Sequence, residues 1–163
     1  MTSVQKTCFF TGHRVINPNY ISMIKSHLNE EILNAVNKGF THFISGGALG
    51  FDTLAAEQVI LLREDYNEIE LSLYLPCSDQ SKIWSEFERI RYDNILSLAD
   101  EICYTSNEPY KNGCMKKRNE AMAEASDMCI AFLRRLSSGT AQTVKMAQEK
   151  GIDVINIAEK GIF

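Results

Sequence analysis

Four short segments of the chain combine glycine with cationic, hydroxyl or carboxylate side chains. They are residues 11–14 (TGHR), 45–52 (SGGALGFD), 111–122 (KNGCMKKRNEAM) and 137–140 (SSGT). Backbone N–H groups at glycine turns and helix N-termini bind anions, and arginine pairs with phosphate or carboxylate. The chemistry that these segments favour is therefore the binding of a phosphate-bearing ligand.

The first segment offers three groups that suit a ligand. Gly12 lets the backbone approach a ligand closely, and Arg14 can fork onto a phosphate. His13 can donate a hydrogen bond or a proton. The alternative is a plain turn with a surface arginine and a capping histidine.

The second segment places a serine, three glycines and an aspartate at the start of a helix: Ser45, Gly46, Gly47, Gly50 and Asp52. Free N–H groups and the positive end of the helix favour an anion there. Neither the GxGxxG dinucleotide pattern nor the Walker pattern is present. Asp52 either caps the helix or orients a ligand hydroxyl, and the sequence leaves both open.

The last two segments also open helices. Arg118 and Asn119 fall near a helix start, from which they can reach a crevice, although residues 116–118 can equally form a solvated charge run. The fourth segment contributes hydroxyls and a glycine directly after an apolar strand: Ser138, Gly139 and Thr140. A serine here can cap the helix and still touch a ligand.

Short apolar runs alternate with amphipathic stretches, which predicts an α/β fold with a parallel sheet. Strands are predicted at 7–11, 42–45, 71–75, 101–105, 128–133 and 154–157. Helices are predicted over 21–36, 51–63, 84–98, 116–125 and 139–150. The third helix is expected to bury an apolar side formed by Phe87, Ile90, Ile95 and Leu98.

Right-handed crossovers place the first three strands in sequence on one side of the sheet and strand 128–133 beside the first. Open α/β sheets bind ligands at the carboxyl ends of strands, where the strand order reverses. Because each of the four segments follows a strand, we expect them to meet at this point.

Length and composition fit one cytoplasmic domain over residues 1–163. The net charge of -4 argues against nucleic acid as a partner but not against a small anion. Residues 1–6 lack the apolar core of a signal peptide, and no apolar run is long enough for a membrane span. Five cysteines without a CxxC pair predict neither disulfides nor a zinc site. Neither a metal nor a cofactor is expected.

The order and spacing of these segments resemble the SLOG superfamily, most closely its YpsA-like branch. The resemblance rests on TGHR, GGALGFDTLAAE, GCMKKRNEAM, SGTAQTV and GIDVINI, which span nearly the whole chain. It implies a three-layer Rossmann-like fold, with a mostly parallel sheet and helices on both faces, and a homodimer. It also implies a nucleotide or nucleotide-derived ligand that touches Gly12, Arg14, Gly46, Gly47, Arg118, Ser138, Gly139 and Thr140, with Asp52 and Asn119 as additions.

The chain departs from one branch of that superfamily at a chemically decisive point. Lonely Guy hydrolases carry carboxylates after their glycine-threonine pair, whereas this chain has Gln142 and Thr143. Neither side chain can act as a general base. Hydrolysis of an N-glycosidic bond would need Asp52 or Glu57 as a substitute.

We therefore expect a nucleotide-binding protein that senses or sequesters its ligand. The alternative is a nucleoside 5'-monophosphate phosphoribohydrolase-like N-glycosidase, and a third hypothesis is DprA-like binding of single-stranded DNA. We also expect Arg14→Ala and Gly47→Val to abolish ligand-induced stabilisation while sparing the fold.

Overall fold

The computed structural model of the chain describes residues 5–161 and residue 163. The strands are β1 (Lys6–Gly12), β2 (Phe40–Ser45), β3 (Glu70–Leu75), β4 (Glu101–Tyr104), β5 (Met128–Phe132) and β6 (Asp153–Asn156). The helices are α1 (Ile21–Asn37), α2 (Phe51–Arg63), α3 (Glu86–Leu98), α4 (Cys114–Glu124) and α5 (Gly139–Glu149). Short 3-10 helices cover Pro18–Tyr20 and Ile157–Glu159. Within the described residues, no helix is both long and apolar enough to cross a membrane.

The strands form one parallel sheet in the order β4-β3-β2-β1-β5-β6. Phe9 on β1 lies opposite Ile44 on β2 and Cys129 on β5. The predicted order, with the strand around 128–133 beside the first, is confirmed. The strand order reverses between β1 and β5, which is where a ligand crevice is expected.

Alternating side chains of the strands supply two separate cores, one on each face of the sheet. Cys8 and Phe10 pack with the apolar sides of α1, α2 and α3. Phe9, between them, packs on the opposite face with residues of α4 and α5. This period of two confirms a three-layer Rossmann-like α/β fold with helices on both faces.

Helix α3 differs from its prediction at its start and on its buried side. It begins at Glu86, because the Ser85 hydroxyl accepts a hydrogen bond from the Glu88 N–H at 3.2 Å and so caps the helix. Trp84 lies before the cap and packs edge-on against Tyr92. Phe87, Ile90 and Leu98 are 73%, 62% and 40% exposed, so the expected apolar side is wrong at these three positions and confirmed at Ile95. The buried residues of α3 are Tyr92 and Ile95.

The end of β1 packs tightly against the start of α2. Phe51, the first residue of α2, is fully buried, and its N–H donates to the His13 carbonyl at 3.1 Å. A β-carbon at Gly12 would overlap the Phe51 ring. Gly12 therefore permits close packing of α2, in addition to forming part of the crevice.

We predict different stability effects for two glycine-to-alanine changes at this edge of the sheet. Gly12→Ala should lower the free energy of unfolding by about 1–3 kcal/mol, because the new methyl group is overpacked. Gly139→Ala should leave it unchanged or raise it by up to about 1 kcal/mol, since a β-carbon there meets no atom of the described residues within 4 Å. Urea denaturation of both variants measures the difference. Equal destabilisation would contradict this packing.

Candidate functional site

A cavity of about 260 Å³ opens at the carboxyl edge of the sheet. Its walls come from the turn after β1, the first turn of α2, the N-terminal half of α4 and the segment that joins β5 to α5. All four segments singled out from the sequence thus contribute to one cavity. The predicted residues that line it are Gly12, His13, Arg14, Asp52, Arg118, Asn119, Ser138, Gly139 and Thr140.

Arg118 is the buried cation of this cavity. Only 3% of the residue is exposed, and its Nη1 donates to the carbonyl oxygen of Gly46 at 2.5 Å. Its Nε donates to the side-chain oxygen of Asn119 at 2.8 Å. Burial lowers the pKa of Arg118, while the nearby carboxylate of Asp52 opposes this shift. The guanidinium is thus oriented by uncharged acceptors that do not neutralise it.

The glycine-rich turn after β2 makes room for this arginine. A β-carbon at Gly46 would lie 2.5 Å from Arg118 Nη1 and 2.9 Å from Asp52 Oδ2. The buried Ser45 hydroxyl donates to the Asp52 backbone carbonyl at 2.9 Å and accepts from the Gly47 N–H at 3.2 Å. Ser45 and Gly46 therefore lie behind the cation rather than on the cavity wall.

Gly47 and Gly50 also lie outside the cavity lining. Gly47 is buried with a φ of 68°, and a β-carbon there would press on Leu75 and Tyr92. At Gly50 a β-carbon would overlap the backbone of Arg14. Valine at position 47 would consequently disturb the turn itself, so the expectation that Gly47→Val spares the fold is wrong.

Asp52 is a buried carboxyl group in the same cavity. It is 5% exposed, and its Oδ2 accepts from the Ala48 N–H at 3.3 Å. Burial raises the pKa of Asp52 to about 6, against the opposing effects of Arg118, the Ala48 N–H and Arg14. It therefore changes charge slightly below neutral pH.

Glu57, the other carboxylate named as a substitute catalyst, does not line the cavity. Arg91 on α3 binds both of its carboxylate oxygens, with an Nε–Oε2 distance of 2.7 Å. Glu57 joins α2 to α3 by this ion pair. Asp52 is consequently the one carboxylate among the described residues that line the cavity.

His13 acts as an acceptor in this structure. The buried imidazole takes hydrogen bonds at Nε2 from the N–H groups of Arg134 at 2.9 Å and Arg135 at 3.3 Å. Burial and then the charges of Arg135 and Arg134 lower the pKa of His13. A neutral ring with an unprotonated Nε2 therefore positions the β5–α5 segment, and the expected donor role is wrong at this nitrogen.

Arg14 and Arg118 approach each other across one sulfur atom. Arg14 Nη2 lies 3.3 Å and Arg118 Nη2 lies 3.7 Å from the Met115 sulfur. A thioether is only a weak acceptor. The Nη2 donors of both guanidiniums are therefore available for a stronger acceptor, such as an anionic oxygen.

Arg135 adds a third guanidinium to the cavity, so that three cations face one carboxylate. The local charge is +2 with Asp52 ionised, although the whole chain carries -4. The start of α5 adds a positive helix end. Ser138 caps this helix, since its hydroxyl accepts from the Ala141 N–H at 3.1 Å.

Two residues of the cavity lining, Arg135 and Met115, were not predicted from the sequence. The signal for Arg135 was a pair of arginines directly after the apolar strand that precedes the SSGT segment. Met115 carries no comparable signal, because its position between two arginines depends on how α4 packs against the turn after β1.

The YpsA family model, described as the YspA SLOG family, matches residues 10–156. A UPF0398 protein of Halalkalibacterium halodurans is 31% identical over 68% of this chain and 59% of its own length. The uncharacterized SPbeta prophage-derived protein YoqJ of Bacillus subtilis is 31% identical over 74% of this chain and 75% of its own.

Two solved structures of DNA processing protein A share the fold. The Helicobacter pylori protein, solved in a study of its single-stranded DNA binding mode, has 21% identity and a TM-score of 0.65. The Streptococcus pneumoniae protein has 17% identity and a TM-score of 0.68. The matches cover 91% and 92% of this chain but only 63% and 49% of those proteins. At these identities the likeness shows the fold alone.

We predict that Asp52 makes folding stability fall as the pH rises. Between its usual pKa of 3.8 and a folded value of about 6, the folded chain binds this proton more tightly than the unfolded chain does. Stability therefore falls as the pH rises from about 4 to about 6 and then stays lower, by about 3 kcal/mol at most for a shift of roughly two units. Asp52→Asn keeps an acceptor for Ala48 and removes this dependence.

Urea denaturation of the chain and of Asp52→Asn from about pH 4.5 to 7.5 measures the effect. The asparagine variant should gain stability relative to the unsubstituted chain as the pH rises. A difference between the two proteins that stays constant with pH would contradict the buried, titrating carboxyl group.

Proposed function

The chain belongs to the YspA SLOG family, and from this premise we propose that it binds the phosphate of a nucleotide or nucleotide-derived ligand, as a sensor or sequestering protein. The observation that carries the proposal is the convergence of Arg14 and Arg118 on the Met115 sulfur. Two guanidiniums that share a weak acceptor can both donate hydrogen bonds to one anion that has several oxygens, such as a phosphate.

The rest of the cavity supports the same ligand class. The N–H groups of Gly139 and Thr140 open α5, and within the described residues neither has a hydrogen-bond acceptor. The volume of about 260 Å³ lies just below the usual lower bound of about 300 Å³ for ligand pockets. Such a space suits a phosphate and its sugar rather than a whole dinucleotide.

Hydrolysis of an N-glycosidic bond is the second candidate. The observation that favours it is Asp52, whose raised pKa of about 6 would let it exchange a proton near neutral pH. Glycosidases usually employ two carboxyl groups, whereas among the residues that the structure describes Asp52 alone brings one to this cavity. Binding without turnover is consequently the proposal that we favour.

Single-stranded DNA is a third candidate ligand. Exposed basic side chains line two grooves that share residues with the cavity, namely Arg134 in one and Lys116 in the other. This local charge weakens the expectation, drawn from the net charge, that nucleic acid is not a partner. DNA binding would lose affinity steeply with added salt, because it releases counterions from many phosphates.

We predict that Arg14→Ala and Arg135→Ala each raise the dissociation constant for a nucleotide by roughly 10- to 100-fold, because each removes one charge-assisted hydrogen bond. Both side chains are exposed, so neither change should unfold the chain. Arg89→Ala is the control, because Arg89 is an exposed arginine on α3 outside the cavity lining. Calorimetric titration with the four ribonucleoside 5'-monophosphates measures the dissociation constants.

The same samples separate the three candidates. Intact nucleotide after incubation supports binding, and release of ribose 5-phosphate, detected by mass spectrometry, supports the hydrolase. Salt-sensitive retention of an oligothymidine, without affinity for mononucleotides, supports DNA binding. Equal nucleotide affinity in the chain, Arg14→Ala and Arg135→Ala would contradict the proposed site.

A further inference from the structure

A second groove adjoins the cationic cavity. It has a volume of about 500 Å³ and lies between α4 and α5. Met115, Asn119 and Gly139 line both spaces, so the groove and the cavity share one wall. A ligand anchored in the cavity can extend directly into the groove.

We propose that this groove holds the nucleobase of the bound nucleotide and selects a base that carries an exocyclic amino group. The inference rests on the proposed phosphate site in the adjoining cavity. It adds where the nucleobase binds and which kind of base is preferred. The cationic cavity is too small to hold the base as well as the phosphate and sugar.

The charge of the groove is opposite to that of the cavity. Its lining contains one cation, Lys116, and two carboxylates, Glu120 on α4 and Glu149 on α5. The cavity next to it has an excess of cations. A second phosphate would therefore be repelled from the groove, whereas an uncharged group with N–H donors would be attracted.

The apolar part of the groove suits a planar ring. Two half-buried thioethers, Met115 and Met146, and the exposed ring of Tyr110 lie along it. Methionine sulfur packs well against aromatic rings, and a tyrosine can stack on a base. These three side chains can cover the faces of a heterocycle and leave its edges to polar groups.

Amide and carboxylate groups are available to those edges. Asn119 uses its side-chain oxygen to accept from Arg118, which leaves its NH2 group as a donor. Gln142 also lies in the groove lining, and its side-chain amide offers both donors and an acceptor. Carboxylates of Glu120 and Glu149 accept from exocyclic amino groups, as acidic residues do with the amino group of cytosine.

The test compares cytidine 5'-monophosphate, uridine 5'-monophosphate and ribose 5-phosphate on the full chain by calorimetry. The two nucleotides differ at position 4 of the ring, where an amino group replaces a carbonyl. The cytidine nucleotide should bind roughly tenfold more tightly than the uridine nucleotide, because only cytosine can donate a hydrogen bond from position 4 to a carboxylate. Ribose 5-phosphate should bind more weakly than either.

Two sets of variants locate the effect. Glu120→Gln with Glu149→Gln should abolish the preference for cytidine, whereas Glu64→Gln with Glu68→Gln, an equal charge change at exposed positions outside the groove, should preserve it. Gln142→Ala should weaken the binding of both nucleotides but not the binding of ribose 5-phosphate. Its control is Gln148→Ala, an exposed glutamine of the same helix outside the groove lining.

Each outcome bears separately on the two proposals. Equal affinity for all three compounds would overturn the nucleobase groove and leave the phosphate site standing. Tighter binding of the uridine nucleotide would overturn the proposal that Glu120 and Glu149 select the amino group. A preference for cytidine that survives in the Glu120/Glu149 variant would overturn it as well. Binding of none of the three compounds would overturn the phosphate site and the groove together.

Discussion

The hydrogen bond from the Arg118 guanidinium to the carbonyl of Gly46 determines how the carboxyl edge of this sheet is built. It joins α4 to the turn after β2, two parts of the chain that are 72 residues apart. A side chain at position 46 would occupy the place of the guanidinium, so glycine is required there. A buried cation is costly unless polar groups surround it, and the Asn119 oxygen and the nearby Asp52 carboxylate provide them.

This arrangement explains how an acidic protein can present a cationic cavity. Net charge describes the whole surface, whereas a ligand responds to the few charges that line its own site. Here Arg14, Arg118 and Arg135 face the cavity, while carboxylates such as Glu57 are paired elsewhere. The low exposure of Arg118 and Asp52 reduces solvent screening, which strengthens their interaction with any bound charge. The raised pKa of Asp52 further allows the cavity charge to increase in mildly acidic solution.

The sequence predicted the strand order and the meeting of the four segments, because both follow from crossover handedness and from polar turns that directly follow apolar strands. It did not predict that Ser45, Gly46 and Gly47 lie outside the cavity lining. A glycine that approaches a ligand and a glycine that admits a buried side chain have the same sequence pattern, and only the packing of α4 distinguishes them. The acceptor role of His13 was missed for a similar reason, since its partners are backbone groups more than 120 residues away.

The most direct test of the phosphate site is a titration of the isotopically labelled chain with inorganic phosphate, followed by NMR. The signals to observe are the backbone N–H groups of Gly139 and Thr140 and the side-chain Nε–H groups of Arg14 and Arg118. We predict saturable chemical-shift changes of all four signals with one common dissociation constant. Shifts confined to other residues, or changes at these four that never saturate, would contradict the phosphate site.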